Sequence, residues 1–180
     1  YVKTYRRNSI RYRFRTPPAG REARIMLKLQ DAGVPVNDLV AVGIRRKCPF
    51  EVENVLVLRS PSNLQTLGRW SFEQFQEQWE SARRQVSLVL TRILASVRRM
   101  HEVNVYHGDL NPGNILIDPD EMRFCFIDFH RSRFLWPGDI KRRTEDISEV
   151  LEYFSAYYDQ RERLDLAAVY ASSESLLCRS

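Results

Sequence analysis

The sequence predicts an α+β fold in two unequal lobes, and three features predict it. A strand-forming start, one helix and two further strands fill residues 1–60. A long stretch of helical periodicity dominates residues 61–180. After that stretch comes a polar loop flanked by short apolar strands. Strands gathered first and helices gathered later indicate segregated layers rather than an alternating parallel sheet.

Taken in order, Tyr1-Val2-Lys3-Thr4-Tyr5 alternates and is rich in strand formers. Pro17-Pro18-Ala19-Gly20 breaks that strand. From Arg21 to about Ala32 the period is helical, with Ile25, Met26 and Leu29 on one face, and Gly33 then Pro35 end the helix. Leu39–Ile44 and Val52–Leu58 read as strands, the second almost wholly apolar and therefore buried. Ser60-Pro61-Ser62-Asn63 is a turn and marks the boundary between lobes. Ser71 with Glu73 and Gln74 resembles a capping box opening one long helix to about Glu102. Val86, Val89, Leu90, Ile93, Leu94 and Val97 form its apolar stripe. Ile115–Ile117 and Phe124–Ile127 are short strands around an Asp-Pro-Asp-Glu turn, and a last helix spans Glu145 to about Tyr158. Tyr153, Phe154, Tyr157 and Tyr158 recur at helical spacing and read as core.

The 180 residues carry a net charge of +5, with pI near 9.3 and 43% apolar residues. That composition excludes collagen-like, low-complexity and wholly disordered classes. The longest run without charge, Ser60 to Gly68, is nine residues, far short of the roughly 20 a membrane-spanning helix needs. No signal peptide is expected. The three cysteines, Cys48, Cys125 and Cys178, fit neither a disulfide framework nor zinc spacing, so a reducing cytosol is expected. Lys3, Arg6, Arg7, Arg11, Arg13 and Arg15 meet no acid within the first sixteen residues. Such a cluster suits an anionic partner, with lipid headgroups or a phosphorylated sugar preferred and no nucleic acid expected.

Chemistry concentrates in His107-Gly108-Asp109-Leu110-Asn111-Pro112-Gly113-Asn114, followed fourteen residues later by Asp128-Phe129. The pattern suits phosphoryl transfer. Asp109 orients an attacking hydroxyl and accepts its proton, while Asn114 and Asp128 offer oxygens to Mg2+, a hard cation. A hairpin between Asn114 and Asp128 brings both to one ion. His107 and His130 are expected to brace their loops rather than bind metal. Upstream, Glu22 lies on the apolar stripe of its helix, and a buried acid needs a partner. Lys3 is the candidate; it would hold ATP phosphates while Glu22 sets its rotamer.

These residues resemble the protein-kinase-like superfamily and, within it, the bacterial lipopolysaccharide core kinases that act on Kdo (3-deoxy-D-manno-octulosonic acid) or heptose. The subfamily resemblance rests on Arg21-Glu22-Ala23-Arg24 leading into Ala32-Gly33-Val34-Pro35-Val36, on His107-Gly108-Asp109-Leu110-Asn111, and on Ile127-Asp128-Phe129-His130-Arg131-Ser132-Arg133. It implies a two-lobed kinase fold with a partial N-lobe in residues 1–60 and a helical C-lobe in residues 61–180. ATP would lie in the cleft, with Val57, Leu58 and Arg59 as the hinge that meets adenine through backbone groups. Asp146, opening the last helix, would brace the catalytic loop. The implied reaction transfers the γ-phosphoryl of ATP to a hydroxyl of an inner-core sugar. The acceptor is a glycolipid, so the resemblance places the protein in the cytoplasm, peripheral on the inner membrane.

Departures from the superfamily pattern qualify the expectation. No G-x-G-x-x-G loop precedes Lys3, so the first two strands are expected upstream or missing. Gly108 stands where protein kinases keep arginine, so control through that arginine is not expected. Asn111 replaces a lysine, His130 replaces a glycine, and no A-P-E motif follows. Two other readings remain: a kinase-like enzyme acting on a protein or small metabolite, and a degenerate kinase fold serving as a binding module.

Overall fold

A computed structural model of the chain describes residues 1–8, 17–48, 51–59, 63–77 and 79–172. The first sheet has strand order β1-β3-β2, built from β1 (Val2–Asn8), β2 (Leu39–Cys48) and β3 (Glu51–Leu58), all neighbours antiparallel. Helix α1 (Pro18–Asp31) packs on one face. It begins three residues before the expected start: Pro18 occupies the first turn, where a missing N–H costs nothing, and Gly20 lies inside the helix. Pro17 offers no side-chain cap. The free N–H of Ala19 donates instead to Asn54 Oδ1 on β3, at 2.8 Å. At the other end Gly33 adopts φ +69°, a left-handed turn that a glycine takes without strain.

The larger part is helical. The helical stretch expected over 71–102 begins earlier, at Leu67, and is described as α2 (Leu67–Glu77) and α3 (Trp79–Glu102), on either side of residue 78, which lies outside the described residues. Ser71 is no cap. It is buried inside α2, where its hydroxyl donates to the Gly68 carbonyl at 3.1 Å. The expected stripe of α3 is buried throughout and extends to Met100 and His101. A second small sheet joins β4 (Gln65–Thr66), β6 (Ile115–Ile117) and β7 (Phe124–Phe126) in the order β4-β6-β7. A third pairs β5 (Val105–Tyr106) with β8 (Arg133–Phe134).

Helix α4 (Ile140–Tyr153) starts five residues earlier than expected, because the Asp139 carboxylate accepts from the Arg142 N–H and caps it. Asp146 therefore lies within α4 rather than at its start. A further helix, α5 (Gln160–Ser172), was not expected from the sequence. Its apolar residues have no clear helical period, yet it packs along α3. The aromatic run reads as predicted at Phe154 and Tyr158, both buried, and Tyr157 stacks on Phe75 at 4.1 Å between centroids; Tyr153 stays largely exposed. Buried apolar side chains form one cluster running from α1 and β3 through α3 to α4 and α5. The Ser60–Ser62 turn, half of the basic cluster (Arg11, Arg13 and Arg15) and Cys178 lie outside the described residues.

Candidate active site

The candidate catalytic loop, His107–Asn114, is held from beneath by one buried carboxylate. Asp146 Oδ2 accepts from the His107 N–H (2.9 Å) and from His101 Nε2 (2.9 Å); Oδ1 accepts from the Gly108 N–H (3.0 Å). A buried carboxylate is tolerated where donors surround it. A carboxylate accepts, so His101 Nε2 donates to it, and in the neutral ring Nδ1 accepts from the Tyr170 hydroxyl at 2.8 Å. The network thus links α5, α3 and α4 to the loop. Ser132 adds a hydrogen bond to the His107 carbonyl at 2.7 Å.

Gly108 explains one departure from the superfamily pattern. Its φ is +77°, and a Cβ there would lie 2.9 Å from the Tyr106 ring and 3.2 Å from the Arg131 carbonyl. An arginine has neither the backbone conformation nor the room. His107 is buried, and its Nε2–H donates to the Ile127 carbonyl at 3.0 Å. Its Nδ1 is buried with no hydrogen-bond partner among the described residues. Burial holds the imidazole pKa below its ordinary value, outweighing the nearby carboxylates. His107 therefore braces the loop as a neutral ring, packed against Phe129.

Asp109, Asn114 and Asp128 converge. Asn111 caps the turn Pro112–Asn114 by accepting from the Gly113 N–H, which turns Asn114 back toward Asp109. Asn114 Nδ2 donates to the Asp109 carbonyl (2.8 Å) and to its Oδ2 (3.3 Å). The Ile127 N–H donates to the Asn114 carbonyl at 3.0 Å, so the β6–β7 hairpin sets Asp128 beside Asn114 as expected. Asp128 has φ +62°, an uncommon conformation for a residue with a side chain and one that collects at functional sites.

Lys3 sits between two acids. Its Nζ lies 3.1 Å from Glu22 Oε1 and also donates to Asp128 Oδ1. Glu22 is 1% exposed and accepts a further hydrogen bond from Tyr5. Burial alone would lower the Lys3 pKa, but Asp128, Tyr5 and Glu22 together raise it above the ordinary lysine value. Burial alone would raise the Asp128 pKa, but Lys3 and His130 hold it below the usual carboxylate range. His130 Nδ1 lies 2.8 Å from the same Asp128 Oδ1, so His130 supports the loop.

At the expected hinge, the Leu58 N–H donates to the Tyr1 carbonyl, and the Leu58 carbonyl accepts from the Tyr1 backbone nitrogen, each at 2.9 Å. The Arg59 N–H donates to the Asp38 carbonyl. Leu58 contributes a buried side chain and a carbonyl with one lone pair to spare.

Sequence reasoning passed over four contributors. Tyr5 was legible, since it follows Lys3 by two positions on the same strand face. His101 was legible as the polar end of the α3 stripe, four residues after Val97. Arg131, whose Nη1 lies 3.4 Å from Asp109 Oδ1, stood in the quoted metal-motif run without a role assigned to it, and Tyr170 carried no local signal.

A lysine–glutamate pair on β1 and α1 that reaches Asp128, with Asn114 bonded to Asp109 nearby, is the grouping of the kinase class. The sequence profile of the lipopolysaccharide kinase (Kdo/WaaP) family matches residues 2–170, and the chain belongs to that family. A solved structure described as WaaP in complex with acyl carrier protein is similar at a TM-score of 0.68 and 25% identity, over 85% of this chain and 66% of that one. The chain thus spans just under two thirds of that relative's length. No curated protein sequence matches. Among the described residues, no helix is long and apolar enough to cross a membrane.

Proposed function

We propose that the protein transfers the γ-phosphoryl group of ATP to a hydroxyl of a lipopolysaccharide inner-core sugar, Kdo or heptose. The observation that carries this reading is the convergence of Asp109, Asn114 and Asp128 below the Lys3–Glu22 pair. In the reaction, Asp109 orients the acceptor hydroxyl and takes its proton as the oxygen bonds to phosphorus and the ADP oxygen departs. Asn114 holds that carboxylate in place. Lys3, kept charged by its acids, exchanges Asp128 for the α- and β-phosphates, and Glu22 retains its other side.

The residues fit Mg2+. Asn114 spends its amide nitrogen on Asp109, which leaves its oxygen to offer. Asp128 has both its neighbours on Oδ1, which leaves Oδ2. Two protein oxygens, completed by water and phosphate, are what Mg2+ takes in kinase sites. Bound there, the ion would neutralise phosphate charge as it moves to the leaving group. The acceptor's lipid anchor supports a site of action against the cytoplasmic face of the inner membrane. The relative's complex with acyl carrier protein makes an acyl carrier protein a partner to assay as well.

Mass spectrometry of a Kdo- and heptose-bearing glycolipid, incubated with the protein and Mg·ATP, tests the reading. One added phosphoryl mass is expected, absent with Asp109→Asn, which retains ATP binding. Phosphorylation that persists in that variant would remove Asp109 from the reaction. ATP binding without transfer to the glycolipid would move the acceptor to another class.

A further inference from the structure

The segment between the metal motif and α4 has a surface that the catalytic reading does not use. Three large apolar side chains project into solvent between residues 134 and 140: Phe134 (43% exposed), Trp136 (81%) and Ile140 (73%). Arg131, Arg133 and Lys141 are exposed beside them. The only acid from 131 to 141 is Asp139, and it is already engaged by Arg142 at 2.8 Å. Scattered exposed apolar residues are ordinary, but a cluster flanked by cations of one sign is not.

The backbone beneath this cluster is anchored. Leu135 is buried, and its N–H donates to the Asn104 carbonyl at 2.7 Å. Strand β8 pairs with β5, placing Arg133 opposite Tyr106. Lys28 on α1 lies over the Phe134 ring at 5.2 Å. Alternation about the inward Leu135 therefore holds Phe134 and Trp136 outward. A tryptophan tip with a second aliphatic side chain and a fringe of arginine and lysine is the chemistry that seats in a phospholipid headgroup layer.

We propose that residues 131–141 form a docking surface for an anionic phospholipid bilayer. Trp136 and Ile140 enter the headgroup region, and Arg133 and Lys141 meet lipid phosphates. The surface is continuous with the site: Arg131 at its upstream end reaches Asp109, and Tyr106 opposite Arg133 lies three residues before Asp109. A bilayer seated there would present a lipid-anchored acceptor at the rim of the catalytic loop. The inference deepens the kinase reading and rests on it for purpose, but binding is measured without turnover.

Co-sedimentation with phosphatidylethanolamine/phosphatidylglycerol vesicles, compared with phosphatidylcholine alone, tests it. The protein should partition onto the anionic vesicles and release as salt rises. Trp136→Ser/Ile140→Ser should weaken partitioning about tenfold with an unchanged thermal melt. Tryptophan emission should shift to the blue on binding, and the shift should vanish in Trp136→Phe although Trp70 and Trp79 remain. No preference for anionic vesicles would overturn the proposal. So would full binding by the double variant, which would hand the contact to another part of the chain, such as the basic stretch read in the sequence from Lys3 to Arg15. A dimer in gel filtration that the double variant dissociates would reassign the cluster to self-association. Phosphorylation of detergent-dispersed acceptor by the double variant separates the two readings: it persists if only the docking fails.

Discussion

At residue scale, the site depends on a few conformations that a side chain or proton would spoil. Gly108 is the sharpest case. Tyr106, against which a new Cβ would press, is itself buried and cannot swing away. Gly108→Ala should cost about 1–3 kcal/mol in a denaturant titration, from the left-handed backbone and the contact together. Arg131 answers a different need. Its Nη1 lies 3.4 Å from Asp109 Oδ1, so on the proposed reading it would meet an anionic group of the acceptor. Arg131→Gln should raise the KM for a carboxylate- or phosphate-bearing acceptor while leaving that for ATP unchanged; equal effects on both would show a general loss of order. Lys3→Met should weaken ATP binding in calorimetry and leave Asp128 without its principal counter-charge.

At the scale of elements, α5 is fastened to the catalytic loop by a chain of buried polar groups rather than by apolar contact alone. Tyr170 donates to His101, His101 donates to Asp146, and Asp146 receives the N–H groups of His107 and Gly108. Removing one hydroxyl leaves a buried acceptor unpaired, which costs about 1–3 kcal/mol. Tyr170→Phe should therefore lower the denaturant midpoint without changing the slope. An unaltered midpoint would show that His101 finds another donor.

At the scale of the whole molecule, acid stability follows from His107. Its folded pKa lies below its unfolded value because the charged ring would be buried with an unpartnered N–H. Between those values the unfolded chain binds a proton that the folded chain refuses. The stability His107 supports is thus present above about pH 6.5 and is lost as pH falls below it, at no more than about 1.4 kcal/mol per pH unit. The Lys3–Asp128 pair does not share that window. The Asp128 pKa is depressed, so its contribution persists until pH falls below the ordinary aspartate range. Denaturation at pH 7 and pH 5 should show the loss, and His107→Gln should flatten it.

The sequence by itself determined the order of the main elements up to α4, the lysine strand, the buried acid on α1 and the candidate catalytic loop with its hairpin. All of these are local: spacing in the chain places Asp109 near Asn114, and a period of two or 3.6 says which face is buried. Helix ends were less legible. The starts of α1 and α4 moved because a proline at the first turn and Asp139 decided them, and Ser71 had the right spacing for a cap but the wrong burial. Tertiary structure alone decided that α5 exists as a packed helix, since its sequence shows no clear stripe and it is held along α3. It alone decided that Leu58 spends its backbone on Tyr1, that Arg131 turns onto Asp109, and that Tyr170 reaches His101. Each of these joins residues distant in sequence, and such contacts are selected by packing and by the cost of leaving buried polar groups unpaired, neither of which is written in local spacing.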